Sequence, residues 1–442
     1  MDNGHVSQES GKRLAAAPRD HVGTTSGQRY SGLAVGGAGA LLAPPLLIAL
    51  AYYGVGSILF WLSAAILVAV GLGRTAALRL RLLDCAVLAV GTYEIPSLTM
   101  SRYSANSVAA ARVVCAAALL YFLARLAART AHGIVVVSAL VGAGGIALGW
   151  TALSQFGEHA SALRAAGLSG IVAFRSRLIL VPAPWILGEW FTLVLLTLPF
   201  ALAVAAFFWL GRNRIAAVGA ALFTLAIAAA LLLSCSRAVA GGVLVLFGSI
   251  SVLAAAYRVM RIKAALILTA GALCALGCVL TAENALYPGI AEAYTGRHTS
   301  QVRSTEGRLA IWKRSADVFR LSPLWGVGSG NAPLFLTSTA DQEETTGFAS
   351  RTYSLPIQLL TEKGALGAAL YLALLVMAGA AAHRKLRSPN TSAQMKGMTC
   401  CLAGGAIAVL FRELTYSSLL EHAATAMLFA MCLALIAAEE PA

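Results

Sequence analysis

The stretch EWFTLVLLTLPFALAVAAFFWL, residues 189–210, is apolar over the length that a helix needs to cross a bilayer, roughly 20 residues for about 30 Å of hydrocarbon. Runs of this kind recur along the 442-residue chain, of which 59% is hydrophobic and only 12% charged. That composition excludes a soluble multidomain protein and is typical of a membrane protein. We predict about twelve spans, at 32–53, 55–73, 82–99, 105–124, 132–153, 189–210, 215–234, 238–257, 263–281, 357–382, 397–414 and 420–438.

The runs are evenly apolar and do not alternate as lipid-exposed strands do. They therefore predict helices, whose backbone groups find partners within each segment. The expected fold is an all-α polytopic membrane protein. Its segments are a polar N-terminal region (1–31), spans one to nine (32–281), a large loop between spans nine and ten (282–356), three further spans (357–438) and a short tail (439–442).

The distribution of basic residues predicts the orientation of the chain, whose formal net charge is +14. With the N-terminus in the cytoplasm, every second connection is short and basic, as the positive-inside rule requires. We expect both termini in the cytoplasm and an uncleaved first helix. The two long connections, 154–188 and 282–356, then lie on the outer face. Long ordered loops are usually functional, so the chemistry is expected there.

The segment 307–321, GRLAIWKRSADVFRL, lies in the larger loop and has helical periodicity. Ser304 or Thr305 is expected to cap its start, which places Arg308 in the first turn, where backbone amides also point at an anion. The alternative is a surface helix whose arginines only meet lipid headgroups. Apolar residues recur at intervals of three and four and predict a stripe on the membrane surface or against the bundle, formed by Leu309, Trp312, Ala316 and Phe319.

The motif GVGSGN, 326–331, follows this helix. It is not a dinucleotide-binding fingerprint, because no strand precedes it and its spacing differs. Either a plain turn or a backbone nest for phosphate is consistent with it.

Ionisable residues near the outer ends of spans extend the polar region. Arg237 stands in the short outer connection between spans seven and eight, and Arg412 near the outer end of span eleven. An anionic ligand would account for both positions, because guanidinium groups bind phosphate oxygens in pairs. Glu94 and Arg112, within spans three and four, are expected to form either a structural ion pair or the polar wall of a cavity. Arginines above an apolar bundle indicate a lipid with a phosphate or diphosphate head.

Three motifs in this order resemble the O-antigen ligase and Wzy-type polymerase family. They are SRAVAGG (236–242), GRLAIWKRSADVFRLSPLWGVGSGN (307–331) and IQLLTEKGALG (357–367), and the resemblance covers 230–382. It implies a bacterial inner-membrane glycosyltransferase of the GT-C-like helical architecture, with an active site in the periplasm and no cofactor or metal. The implied donor is a glycan on undecaprenyl diphosphate. The acceptor is another lipid-linked glycan for a polymerase, or the lipid A core for a ligase.

The resemblance also assigns residues and partners. Arg237 and Arg308 correspond to the arginines that hold the diphosphate, and the charge pattern adds Arg303, Arg314 and Arg412 to them. Membrane lipids and polysaccharide export machinery are the other expected partners, and nucleic acid is not one.

One position departs from the family. Its ligases commonly have histidine followed by asparagine nine residues before the glutamate of the ExG element, whereas this chain has Tyr353 before Ser354. The polymerase branch is therefore favoured, for O-antigen or exopolysaccharide. The candidate catalytic residues are Glu306, Tyr353 and Glu362, with His298 as a further candidate base.

The competing class is a lipid-linked glycan flippase or transporter. Such proteins usually have two related halves and charges near the bilayer midplane. Here the largest loop follows the ninth span and midplane charges are scarce, which favours the enzyme.

Overall fold

The computed structural model describes residues 81–101, 103–167, 187–234, 236–286, 299–338 and 352–438. Within these ranges the chain is all-helical, as predicted, and contains no strand. The predicted spans 32–53 and 55–73 lie outside them. The twelve helices of the described ranges are α1 (Leu82–Thr99), α2 (Ser104–Ala127), α3 (Ala131–Ala165), α4 (Leu187–Leu210), α5 (Arg214–Leu232), α6 (Arg237–Ala256), α7 (Ile262–Leu286), α8 (Thr299–Leu321), α9 (Ala332–Ser338), α10 (Leu355–Arg387), α11 (Ala393–Glu413) and α12 (Ala423–Ala437).

Nine of the helices in the described ranges are long and apolar enough to cross a membrane, and α12 is a shorter apolar helix. Each of the ten spans predicted within those ranges coincides with a helix. Several differ in length, and two of these differences change the adjoining connections. The third helix continues to Ala165, so the first part of the predicted loop 154–188 is helical. The last helix begins only at Ala423, because the chain turns between α11 and α12.

The core lies where α4, α11 and α12 meet the remaining helices. The eleventh helix packs on α4 and α6, α12 packs on α2, and α1 packs on α10. Large apolar side chains at the periphery are exposed, among them Ile215 (89%) and Ile267 (72%). Exposure of this kind is expected where lipid, rather than protein, covers a helix.

A buried ion pair fastens α1, α2 and α12 together at one end of the bundle. The Arg125 guanidinium donates to both carboxylate oxygens of Asp84, at 3.2 and 3.1 Å, and to the carbonyl oxygen of Ala437 at 3.0 Å. The Tyr121 hydroxyl donates to the same carboxylate at 2.7 Å. These bonds satisfy the charges of a pair that would be costly to bury alone. Because successive helices alternate in direction, α8 and α9 lie at the opposite end, with the starts of α6, α10 and α12.

Candidate active site

The helix α8 begins earlier than predicted and is rotated. It starts at Thr299, since nothing in TSQVRSTE interrupts a helix, so Ser304 and Thr305 lie within the helix and not at its start. Arg308 is therefore in the third turn of α8. The prediction that it lies beside the amides of the first turn, where an anion could bind, is wrong. The buried face carries Ile311, Ser315 and Val318, whereas Leu309 is 50% exposed. The predicted stripe was thus misplaced by one residue, about 100° around the axis.

The buried face of α8 points Arg308 into a group of aromatic rings. The Arg308 guanidinium carbon lies 5.5 Å from the centre of the Tyr353 ring, and that of Arg412 lies 4.1 Å from the centre of the Tyr416 ring. The two rings meet edge to face with centroids 6.1 Å apart. We call these four residues, with Arg237, the arginine–tyrosine cluster.

Arg237 joins the cluster from the start of α6. Gly242 of that helix lies against the side chain of Arg412, which brings the start of α6 beside the end of α11. Burial lowers the pKa of the Arg308 guanidinium, and the positive charge of Arg237 lowers this pKa further. The Arg308 Nε atom is buried and has no hydrogen-bond partner in the described part of the chain. Guanidinium groups gathered in this way repel one another, and an anion between them would relieve the repulsion.

The segment before α10 fixes Tyr353. Trp312 lies one turn of α8 after Arg308, and its indole donates to the carbonyl oxygen of Thr352 at 2.9 Å. Tyr353 itself has a φ of 52°, a left-handed conformation that is uncommon for a residue with a side chain. A tethered and strained backbone of this kind is typical of functional sites, because the surrounding structure must maintain it.

The GVGSGN motif docks into a break in α10. Gly364 has φ 62° and ψ −170°, so the helix is interrupted there. The amides of Val327 and Gly328 donate to the carbonyl oxygens of Thr361 and Glu362, at 3.0 and 2.9 Å. In return, the amides of residues 365 and 366 donate to the carbonyl oxygens of residues 323 and 324, at 2.8 and 3.2 Å. The two loop amides are committed to a helix, so the motif forms a structural turn rather than a phosphate nest.

A buried polar network surrounds this break. The Lys363 ammonium pairs with Glu94 and donates to the Ser329 hydroxyl at 2.7 Å, and Ser329 donates to Glu94 at 2.8 Å. The predicted pairing of Glu94 with Arg112 is therefore wrong, because the lysine that neutralises Glu94 comes from α10. Glu362 is also buried and accepts from the Ala332 amide and the Gln358 side chain, both at 3.4 Å.

The comparisons with known proteins bear on the same region. Residues 220–372 match a family model described as O-antigen ligase. We call this part of the chain, which is similar to that family, the O-antigen ligase region. The O-antigen ligase region contains Arg237, Arg308 and Tyr353, whereas Arg412 and Tyr416 follow it. Members of the family are membrane enzymes of the glycosyltransferase or ligase type. Comparison with curated proteins gives no match.

Not all of the predicted site residues reach the cluster. Arg314 of the O-antigen ligase region lies six residues after Arg308, about 120° around the axis of α8 and away from the rings. The side chains of Arg303 and Glu306, and all of His298, lie outside the described residues. Tyr416 and its neighbours were missed, because "YSS" in a short connection has no periodicity or charge that would single it out.

Removing one partner of the Glu94–Lys363 pair is expected to destabilise the protein by about 3–5 kcal/mol, because the other charge stays buried. Thermal unfolding of purified Glu94→Gln, Lys363→Met and the double variant would measure this. The unfolding temperature of the double variant should be closer to that of the parent protein than the unfolding temperature of either single variant is. A double variant that shows the full sum of both losses would contradict the pairing.

Proposed function

We propose that the protein is a glycosyltransferase of the periplasmic face of a bacterial inner membrane, which uses a glycan on undecaprenyl diphosphate. The observation that carries this proposal is the placement of Arg308 and Arg412 on two tyrosine rings, with the charge of Arg237 close to Arg308, at one end of an apolar bundle. A family match over 220–372 supports the reaction class.

The cluster suits a diphosphate chemically. Tyrosine faces hold the guanidinium groups of Arg308 and Arg412, and guanidinium N–H groups bind phosphate oxygens in pairs. When the bond at the anomeric carbon breaks, negative charge grows on the departing diphosphate. Arginines already in place stabilise that charge without reorganisation, which is the main requirement of such a transfer.

An apolar cavity beside the cluster suits the lipid chain. Its lining includes Leu355, Leu410 and Leu419, which are two or three residues from Tyr353, Arg412 and Tyr416 respectively. A lipid phosphate placed in the cluster would thus have hydrocarbon-lined space within reach of its tail. Tyr353 stands where ligases of the family have histidine, which favours polymerisation of lipid-linked repeat units over ligation to the lipid A core.

Incubating the purified protein in lipid nanodiscs with a lipid-linked oligosaccharide tests the proposal. A polymerase releases undecaprenyl diphosphate and lengthens the glycan on its carrier. Added lipid A core would become glycosylated instead if the protein is a ligase. Movement of the intact lipid between leaflets without bond cleavage would contradict both and identify a flippase.

A further inference from the structure

An acceptor hydroxyl that attacks an anomeric carbon needs a group to take its proton. In this chain the histidine position of the family's ligases is occupied by Tyr353, whose hydroxyl is a weak base at neutral pH. Within the described residues, the carboxylates near the cluster are the alternative proton acceptors.

Three of these carboxylates are committed to structure. Glu94 is paired with Lys363, and Glu362 holds the start of α9 and the side chain of Gln358. Glu413 is fully buried and accepts from the amides of Ser418 and Leu419, at 2.7 and 3.1 Å, and from the Ser418 hydroxyl. Proton transfer to any of them would break bonds that hold the site together.

Glu421 differs from these three in its access. It is half-buried, in the connection between α11 and α12 that also carries Tyr416. The Ser417 hydroxyl donates to its carboxylate at 3.2 Å and lies 3.4 Å from the Thr352 hydroxyl. Thr352 directly precedes Tyr353. The carboxylate is thus two hydrogen bonds away from the segment that carries Tyr353.

This arrangement brings charges of opposite sign to the segment that carries Tyr353. The Arg308 guanidinium lies over the tyrosine ring, and the Glu421 carboxylate is reached through Ser417 and Thr352. In an inverting displacement the leaving group and the attacking hydroxyl lie on opposite faces of the sugar, so cations are needed on one side and a base on the other.

We infer that Glu421 is the general base for the acceptor hydroxyl, an assignment that rests on the proposed function. The acceptor oxygen forms a bond to the anomeric carbon, and its proton passes to the Glu421 carboxylate. The bond from that carbon to the diphosphate oxygen breaks, and its electron pair leaves with the diphosphate, which the arginines hold. The proton then returns to solvent, and Ser417 keeps the carboxylate oriented.

The test compares Glu421→Gln, Glu421→Asp and Glu421→Ala in the nanodisc transfer assay, with Glu158→Gln as the matched control. Glu158 is an exposed glutamate on α3, far along the chain from the cluster. General-base catalysis typically contributes about 100-fold or more, so Glu421→Gln should lose at least that in rate. The aspartate variant should keep part of the rate, and added formate should partly restore the alanine variant.

A carboxylate base also determines the acid limb of the pH–rate profile, and this limb should disappear in Glu421→Gln. A purely structural role would not give formate rescue or a changed profile, so their joint absence overturns the assignment. Full activity of Glu421→Gln also overturns it. Inactivity of Arg308→Ala in the same assay would support the proposed function even where the assignment of Glu421 fails. Full activity of Arg308→Ala would refute the proposed function.

Discussion

Replacing Arg308 by alanine is expected to lower glycan transfer about 100- to 1000-fold, with normal insertion into the membrane. Loss of one preorganised donor to a developing anion has an effect of this size. Arg308 sits over Tyr353 and bears an unsatisfied, buried Nε, so its removal takes away the proposed phosphate contact. Transfer is measured with the lipid-linked oligosaccharide, and insertion by the amount of protein in washed membranes.

Three further variants sharpen this prediction. Arg237→Ala should show a loss of similar size, because Arg237 adds to the same positive field. Arg308→Lys should remain strongly impaired, since an ammonium keeps the charge but cannot bind two phosphate oxygens in a fork. Arg320→Ala is the matched control, because this arginine of α8 is 76% exposed and pairs with exposed Asp317. Normal transfer by Arg308→Ala and Arg237→Ala would refute a diphosphate-binding role.

Replacing Gly364 by alanine is expected to prevent accumulation of the folded protein. A side chain at φ 62° and ψ −170° costs about 1–3 kcal/mol in backbone strain alone. A Cβ atom there would also lie 2.4 Å from the carbonyl carbon and oxygen of Leu324, which belong to backbone that cannot move without breaking the docked loop. Accumulation is measured by gel filtration of the detergent-extracted protein.

Gly379→Ala provides the control within the same helix. A Cβ at Gly379 meets nothing within 4 Å, so this variant should accumulate at least as well as the parent protein. If Gly364→Ala elutes as a stable monodisperse species with the parent's unfolding temperature, the break in α10 is not required for the fold.

The spans and the approximate position of the cluster could be predicted because both depend on local composition. Hydropathy over about 20 residues locates a span whatever the span packs against. Because successive spans alternate in direction, the starts of α6 and α10 and the end of α11 lie on one face. Arg237, Arg308 and Arg412 could thus be grouped before any contact was known. Tyr353 was singled out only because it departs from a motif.

The features that could not be predicted depend on contacts between distant residues. The rotation of α8 is set by the small apolar group around Ile311, Val318 and Val327, and a one-residue shift in the stripe gives an equally regular pattern. The partner of Glu94 is Lys363, 269 residues away, and hydropathy treats that lysine as part of a span. Glycine at 364 predicts flexibility or a turn, but the break requires the loop 323–328 to supply its hydrogen bonds.

The exchange of hydrogen bonds between the loop and α10 has a consequence for how this protein can be recombined with its relatives. Residues 323–328 supply hydrogen-bond partners at the break in α10, so this loop and α10 form one structural unit. Swapping this loop between relatives should therefore succeed when the junctions lie before α8 and after residue 366. Junctions placed between the loop and the helix would leave each half with unmatched backbone groups at membrane depth.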